Sequence, residues 1–508
     1  MKKESLSSKE KAKQFLSQAE QFQLGNLVTE SINPLTVGLS QMVKLNLSEA
    51  INSFVKVDEE MLNALAKNGE GILKLSQNIQ NCFKRGKTVY LSGCGATGRL
   101  SLTIENIWRR TQKDRDKVKA FMAGGDLALI HSIEKFEDFP ELGARQLREM
   151  GFESGDLLLA STEGGETPWV IGTALEAIKL GGECTFLYCN PDELLKGKLK
   201  RCQVVLNDPQ IKKLNLTSGP QALTGSTRLQ ASTILMAAIS IALFENPKAE
   251  DIDTAVHLLK DWYLNLNHLH LRRLIESEAN LYRHGKGLYY LADEALAISV
   301  LTDTTERSPT FSLMGFDNKN DLDSKASWVY LAMSSAPDGE NAWDRLLQRA
   351  PKTLEWNDVV EKAGEKRLYG FDFSREVFRW RKKRTPSFGK FHINQKSDSL
   401  LFELEGDQAF FQLPNGHLYQ THLILKMLLN MHSTLLMGLM GRYESNVMTY
   451  VRPSNYKLID RCVRYAEHLL KQKGKSISYD ELVQKTCELM ESNTQDEPIV
   501  IKIVESIC

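Results

Sequence analysis

Residues 88–92 form a short β-branched and apolar run that ends in a glycine-rich segment, GCGATGR at 93–99, and a helical pattern follows over residues 99–110. This order predicts a β-strand, a tight turn and an α-helix, which together make part of a βαβ unit. Four further strand-like runs follow, at 118–122, 156–160, 183–189 and 204–206. Helical patterns such as 169–180 lie between them, so the alternation predicts a doubly wound domain with a parallel sheet.

A second, weaker copy of the alternation occupies the C-terminal half. Its predicted strands are 287–291, 297–302 and 328–333, and a long helical pattern closes it at 420–440. Two capping patterns, SYDE at 478–481 and DEP at 496–498, predict the starts of two short helices. The predicted fold is therefore α/β, with two doubly wound parallel-sheet domains and a small C-terminal helical cap. The predicted divisions are an N-terminal segment, 1–45, a first domain, 46–255, a second domain, 270–470, and the cap, 475–508.

The charge balance excludes a global attraction to polyanions. Lys plus Arg and Asp plus Glu both number 64, so the formal net charge is zero and neither nucleic acid nor an anionic membrane is an expected partner. The basic run RWRKKR at 379–384 is isolated and is interpreted as a solvated patch. The most apolar stretches, 233–244 and 423–440, are too short or too interrupted by polar residues to span a bilayer, and they predict buried helices.

The cysteine pattern and the polar first ten residues indicate the compartment. No C-x-x-C pair occurs among the eight cysteines, and they do not cluster with the ten histidines. The first ten residues lack the apolar core of a signal peptide. We therefore expect a cytoplasmic protein with reduced thiols, without a metal site and without a bound cofactor.

The segment at 93–99, which we call the first loop, has the features of an anion site. Its residues precede a predicted helix, where backbone N–H groups and the positive end of the helix dipole favour a phosphate. The three glycines also fit G-x-G-x-x-G, so a dinucleotide site or a purely structural turn is equally consistent with this motif alone. The candidate ligand-binding residues of the first loop are Gly95, Thr97, Gly98 and Arg99.

Two more segments favour a sugar phosphate over a dinucleotide. The second loop, STEGGETP at 161–168, follows another predicted strand, and the third loop, TGSTR at 224–228, adds hydroxyls and a guanidinium that can bind phosphate or sugar oxygens. In a parallel sheet the first and second loops belong at the carboxyl ends of the strands, where ligands bind. The candidate residues are Glu163, Gly164, Gly165, Thr167, Ser226, Thr227 and Arg228. The hypothesis of a nicotinamide-dependent oxidoreductase rests on the glycine spacing alone, and the hydroxyl-rich second and third loops argue against it.

These motifs resemble those of one family, the N-acetylmuramic acid 6-phosphate etherases together with the glucokinase regulatory proteins, which are built on sugar isomerase (SIS) domains. The resemblance covers most of the chain. It is carried in order by VTESINPLT at 28–36, LSGCGATGRL at 91–100, AGGD at 123–126 with Glu134, Glu137 and Asp138, TP at 167–168, CNP at 189–191, GP at 219–220, LTGSTRL at 223–229, NMHST at 430–434 and SNYKL at 454–458.

The resemblance implies a site for a sugar 6-phosphate. The loops around Thr97 and Thr167, with Thr227 and Arg228, would bind the ligand, and Lys457 lies in the family's late lysine segment. Glu137 stands at the place of an acidic residue near the sugar carbons, although for an isolated glutamate a solvated helical carboxylate is the usual interpretation. A plain loop or one wall of a cleft is expected for the polar stretch 304–310.

The chain departs from the etherases at several positions. The glutamate that etherases carry nine residues after the last glycine of the first loop is Ile107 here, and on a helix Glu105 would point about 200° away from that position. Gly164, Glu166 and Gln230 replace a serine, an arginine and a lysine. The regulatory proteins share the loss of the helix glutamate and the tandem architecture. The second copy has ADEA at 292–295 after its first strand, without glycine, so its phosphate loop is expected to be lost.

The sequence therefore predicts a tandem SIS protein that binds a hexose or amino-sugar 6-phosphate in its first domain. Its expected function is ligand sensing, with control of a partner protein such as a sugar kinase. The rival prediction is a lyase of the etherase kind or a sugar-phosphate isomerase, with Glu137 and either Glu163 or Glu166 moving a proton next to the sugar carbonyl.

Overall fold

The computed structural model describes residues 7–22, 24–133, 136–321, 323–385, 387–413, 416–453, 455–492 and 497–508. The helices and strands of the N-terminal half are α1 Ser8–Leu16, α2 Leu39–Leu45, α3 Leu47–Ala66, α4 Gly69–Lys84, β1 Val89–Gly93, α5 Gly95–Thr111, β2 Val118–Met122, α6 Pro140–Glu149, β3 Leu157–Ser161, α7 Pro168–Lys179, β4 Glu183–Tyr188, α8 Asp192–Lys198, α9 Lys200–Leu206, β5 Ile211–Asn215, α10 Gln230–Phe244 and α11 Ala249–Asn265.

The C-terminal half continues with a second series. Its elements are α12 Leu271–Arg283, β6 Gly287–Ala292, α13 Ala297–Phe311, β7 Val329–Ala332, α14 Gly339–Leu347, α15 Val360–Ala363, α16 Glu365–Leu368, α17 Val377–Trp380, β8 Phe388–Lys396, β9 Ser399–Leu404, β10 Asp407–Gln412, α18 Leu418–Leu439, β11 Tyr443–Glu444, β12 Val447–Met448, α19 Tyr456–Gln472, α20 Tyr479–Ser492 and α21 Ile499–Glu505. The structure confirms the predicted α/β architecture, in which C-terminal helices follow two sheets.

The first sheet has the order β2-β1-β3-β4-β5, and every pairing in it is parallel. All residues of β1 and β3 are buried because helices cover both faces of the sheet, as the apolar runs predicted. The strand predicted at 204–206 is wrong, since these residues end α9. The fifth strand is instead Ile211–Asn215, whose exposed Lys212 hides the strand pattern at this edge of the sheet.

The second sheet has the order β10-β9-β8-β6-β7. Its core pairs β6 with β7 and with β8 in parallel, and β9 and β10 extend it by antiparallel hairpins that the sequence analysis did not predict. The left-handed backbone of Ser397, Glu405 and Gly406 makes the hairpin turns. The strand predicted at 297–302 is wrong, because these residues begin α13; a short apolar run does not distinguish a strand from a buried helix.

The first sheet unit, built around β1–β5, and the second sheet unit, built around β6–β10, pack against each other through helices. Helix α5 of the first unit contacts α13 of the second, and α10 contacts α18. The predicted apolar stretches lie within α10 and α18 and are largely buried there. In the described ranges, no helix is long and apolar enough to cross a membrane. Near the C-terminus, α19, α20 and α21 pack together and α1 packs on α20. Asp496, part of a predicted capping pattern, lies outside the described residues.

Candidate functional site

A cavity of about 380 Å³ lies where β1 and β3 end, and helices of the second sheet unit close it from the other side. This volume is typical of small-ligand sites. Nine of the predicted site residues line it: Gly95, Arg99, Glu137, Glu163, Thr167, Ser226, Thr227, Arg228 and Lys457. Thr97, Gly98, Gly164 and Gly165 are not among its lining residues, and their contacts show what they do instead.

The first loop is shaped by close backbone packing. The Thr97 hydroxyl accepts a hydrogen bond from the Cys94 N–H (3.0 Å) and donates to the Cys94 carbonyl (2.9 Å), so it caps α5. A Cβ at Gly98 would lie 2.5 Å from the Met122 Cβ, so glycine lets α5 pack directly on the end of β2. These two residues hold the N-terminus of α5, where Gly95 and Ala96 face the cavity.

The second loop presents Glu163 and Thr167 to the cavity and keeps its glycines behind them. Gly165 has φ +78°, and a Cβ there would meet Leu195 at 2.7 Å. The Gly164 carbonyl accepts from the Asn190 side chain (3.1 Å), which also donates to the Thr29 hydroxyl (3.0 Å). The motifs at 28–36 and 189–191 therefore support this loop.

The third loop faces the cavity with hydroxyls, while its arginine bridges the two sheet units. The Ser226 and Thr227 side chains line the cavity. The terminal nitrogens of Arg228 contact four groups of the second unit, Asp303, Asn430, Ser433 and Thr434, at 3.2–3.3 Å. These nitrogens are therefore committed to the interface between the units.

Helix α19 holds the third loop from outside. A Cβ at Gly225, which has φ +71°, would lie 2.2 Å from the Tyr465 hydroxyl oxygen, and that hydroxyl donates to the Thr224 carbonyl at 2.7 Å. On the same helix Arg461 and Arg464 pair with the buried Glu30 of the N-terminal segment, at 2.5 and 3.1 Å. The glycine of the TGSTR motif is thus needed for close approach of α19.

Glu137 and Lys457 lie at the rim of the cavity. The Asn455 amide donates to Glu137 Oε1 (3.3 Å), and Lys457 Nζ lies 3.4 Å from Glu166 Oε1. Burial lowers the pKa of Lys457, but the charges of Glu166 and Glu137 outweigh it and raise the pKa above its ordinary value. Glu134 and Ser454, from the same family motifs, lie outside the described residues.

Helix α13 brings a carboxylate to the cavity that the sequence analysis did not place there. Glu306 is 3% exposed and lines the cavity together with Ser308, Pro309 and Thr310. The polar stretch 304–310, expected as a loop or a cleft wall, is helical. The signal for Glu306 was present in that stretch, but only the packing of α13 on α5 shows which of its side chains reaches the first unit.

Two buried carboxylates of the cavity have an oxygen without a partner. Within the described part of the chain, neither Glu163 Oε1 nor Glu306 Oε2 has a hydrogen-bond partner. Burial raises the pKa of Glu163 to about 7, and the charge of Glu306 adds to the effect against the opposing charges of Lys457 and Lys426. A carboxyl whose pKa is raised toward neutrality suits proton transfer or charge sensing.

A buried hydrophobic residue stands at the position where etherases carry the helix glutamate. Ile107 is 1% exposed and belongs to the main hydrophobic cluster. Glu105 binds Arg349 of the second unit (2.9 Å), and although burial opposes ionisation, Arg349 and Lys352 hold its pKa at about 2. Glu105 is thus held in its ionised form by the second unit and serves the contact between the two units. No group of three or more His, Cys, Asp or Glu side chains in the described ranges is arranged to hold a metal ion.

The comparisons with known proteins agree on one family. The profile of the glucokinase regulatory protein N-terminal SIS domain matches residues 72–179. An N-acetylmuramic acid 6-phosphate etherase of Rippkaea orientalis is 32% identical over 219 residues, which is 43% of this chain and 67% of that protein. The chain belongs to the family of these etherases and regulatory proteins.

Other members of the family show similar coverage. The etherase of Photorhabdus laumondii is 28% identical over 211 residues, 41% of this chain and 65% of its own length, and that of Synechococcus elongatus is 33% identical over 212 residues, 41% and 64%. The chain thus spans somewhat less than two thirds of these two relatives. Among solved structures, tagatose-6-phosphate ketose/aldose isomerase from Escherichia coli is 12% identical, covering 79% of this chain and 96% of that one with a TM-score of 0.44.

Proposed function

We propose that this protein binds a hexose or amino-sugar 6-phosphate in the cavity between its two sheet units and acts as a sensor of that ligand. The proposal rests on the observation that one cavity combines the N-terminus of α5, the hydroxyls of the third loop, Lys457 and three carboxylates. This set matches the two parts of a sugar phosphate, which has an anionic end and a ring rich in hydroxyl donors.

The phosphate is assigned to the end of the cavity at the first and third loops. The first amides of a helix lack intrahelical partners, and the helix dipole favours an anion there. Nearby, the Ser226 hydroxyl is buried and has no hydrogen-bond partner among the described residues, so a phosphate oxygen would supply the partner that it lacks. A net-neutral chain needs such local geometry to hold an anion.

The sugar ring is assigned to the carboxylates. Glu137, Glu163 and Glu306 line the cavity from the first and the second unit, and ionised carboxylates accept hydrogen bonds from hydroxyls. A ligand held between the units binds best when they are packed as in this structure. Binding would therefore stabilise their packing, which gives a sensing protein a means to control a partner such as a sugar kinase.

A thermal-shift panel tests this proposal with glucose 6-phosphate, fructose 6-phosphate and glucosamine 6-phosphate against the same sugars without phosphate. A ligand at 100 times its dissociation constant adds about 2.7 kcal/mol to the free energy of unfolding. We expect stabilisation by the phosphorylated forms only. Equal stabilisation by both forms would show that the first and third loops do not bind phosphate.

The second candidate function is elimination of lactate from N-acetylmuramic acid 6-phosphate. One observation favours it: Glu306 and Glu137 line the same cavity from different units, so two carboxylates are available although position 107 carries isoleucine. The reaction needs one group to take the proton at C2 and another to assist departure of the ether oxygen.

Lactate release by the pure protein separates the two candidates. The sensing proposal predicts none, or release slower by about 10²–10⁴-fold than a complete acid–base pair gives. The native protein is compared with Glu137→Gln and Glu306→Gln variants. Rapid release that both substitutions abolish would establish the lyase and overturn the sensing proposal.

A further inference from the structure

We propose that the cavity selects a sugar phosphate with a free amino group, whose ammonium binds between Glu163 and Glu306. This inference rests on the proposed sugar-phosphate function and narrows its substrate class. Glu163 comes from the second loop of the first unit and Glu306 from α13 of the second unit, and both line the same cavity.

The two carboxylates are buried, and the described residues do not supply all the hydrogen bonds that their oxygens can accept. Glu163 is 9% exposed and Glu306 is 3% exposed, and each has one oxygen that receives no hydrogen bond from any described residue. Burying carboxylate oxygens without donors is costly, and the cost falls when a ligand supplies the donors. An ammonium group supplies three N–H donors and a compensating charge, whereas a hydroxyl supplies one donor and no charge.

The hydrogen bonds and closest contacts of the neighbouring cations are to groups other than Glu163 and Glu306. Arg99 donates from Nε to the Leu129 carbonyl (3.1 Å), and its Nη1 reaches Glu306 Oε1 only at 4.0 Å. Lys426 Nζ donates to the Arg228 carbonyl (2.8 Å), and Lys457 Nζ lies 3.4 Å from Glu166. None of these contacts involves Glu163 Oε1 or Glu306 Oε2, so these cations do not supply the hydrogen bonds that the two oxygens lack.

The protonation of Glu163 gives the selection a pH dependence. The groups that act on Glu163 are Glu306, Lys457, Lys426 and Arg99, with the thiols of Cys94 and Cys189 beside it. Burial raises its pKa to about 7, so below that pH it must lose a proton before it pairs with an ammonium. The preference for the amine therefore rises from about pH 6 to about pH 7.5 and falls again once an amine of pKa about 8 deprotonates.

Calorimetric titration with three ligands tests the inference: glucosamine 6-phosphate, glucose 6-phosphate and N-acetylglucosamine 6-phosphate. The affinity ratio of the first to the second is the readout, since the phosphate contributes equally to both. At about pH 7.5 we expect a ratio of about ten or more, as for a charge-assisted hydrogen bond. We expect the acetylated sugar to bind less tightly than glucosamine 6-phosphate, because its nitrogen carries no charge.

Glu163→Gln keeps the shape of the side chain and removes its charge, so it should lower the ratio and abolish its rise between about pH 6 and pH 7.5, which comes from Glu163 alone. The matched control is Glu141→Gln on the exposed start of α6, which should leave the ratio unchanged. Equal affinities for glucosamine and glucose 6-phosphates in the native protein would overturn the inference and leave the proposed function intact. Failure of all three phosphates to bind would overturn both.

Discussion

At the scale of single residues, Arg228 makes contacts between the two units that its sequence motif did not indicate. The TGSTR motif indicated a guanidinium for phosphate or sugar oxygens, yet its two terminal nitrogens are used by Asp303, Asn430, Ser433 and Thr434. Its carbonyl accepts from Lys426 (2.8 Å). Arg228 thus positions the third loop against the second unit, while its side chain also lines the cavity and its Nε has no hydrogen-bond partner among the described residues.

We expect Arg228→Met to lower the free energy of unfolding by about 1–3 kcal/mol, because buried hydrogen bonds to a charged group are lost. Asp303 keeps its pairing with Arg307 (2.9 Å), which limits the loss. Urea unfolding measures it, with Arg272→Met as control, since Arg272 forms an exposed pair on α12 worth at most about 1 kcal/mol. Unchanged stability combined with lost phosphate affinity would show that Arg228 binds the phosphate and does not stabilise the contact between the units.

At the scale of elements, a buried carboxyl joins three helices behind the third loop. Asp58 of α3 accepts hydrogen bonds from Gln230 of α10 (2.7 Å) and from the Tyr263 hydroxyl of α11. Gln230 in turn accepts from the Ala222 N–H (2.9 Å), just before the loop. The glutamine that replaces the etherase lysine is therefore part of a helix-packing network, which the sequence did not show.

Stability should depend on the ionisation of Asp58. Burial raises its pKa to about 7, only partly offset by its two hydrogen-bond donors, so between about pH 4 and pH 7 the folded protein retains a proton that the unfolded chain has lost. The contribution of Asp58 to the free energy of unfolding is complete at low pH. It is lost as pH rises to 7, by up to about 1.4 kcal/mol per pH unit. Urea unfolding of the native protein and of Asp58→Asn should show this fall only in the former. Parallel curves would contradict the assignment.

Local patterns predicted the first sheet better than the second. β2 begins and ends at the predicted residues, and α5 and α7 lie within a few residues of their predicted bounds, because buried parallel strands are apolar throughout. The runs at 204–206 and 297–302 are equally apolar but too short to distinguish a strand from a helix. Most of the predicted cavity residues came from three contiguous motifs, and Glu137 and Lys457 came from the family resemblance. Glu306 reaches the cavity only because α13 packs on α5.

At the scale of the whole molecule, the cavity depends on both sheet units. The first unit supplies the three loops and Glu137, and the second supplies Glu306 and closes the cavity with α13. Arg349 joins the units elsewhere by binding Glu105 (2.9 Å) and Asp126 (2.5 Å). A single chain thus provides a composite cavity, and if a ligand binds there, its binding and the packing of the units are expected to be coupled.

The central claim is that a phosphorylated sugar binds in this cavity, and calorimetric titration of glucose 6-phosphate against glucose tests it most directly. The native protein is compared with Thr227→Tyr, which fills the cavity from the third loop, and with Thr217→Tyr, which lies away from the cavity lining. We predict that only the phosphorylated sugar binds, that Thr227→Tyr abolishes binding while circular dichroism shows an intact fold, and that Thr217→Tyr binds as the native protein does. Undiminished binding to a folded Thr227→Tyr variant, or equal binding of glucose, would contradict the account.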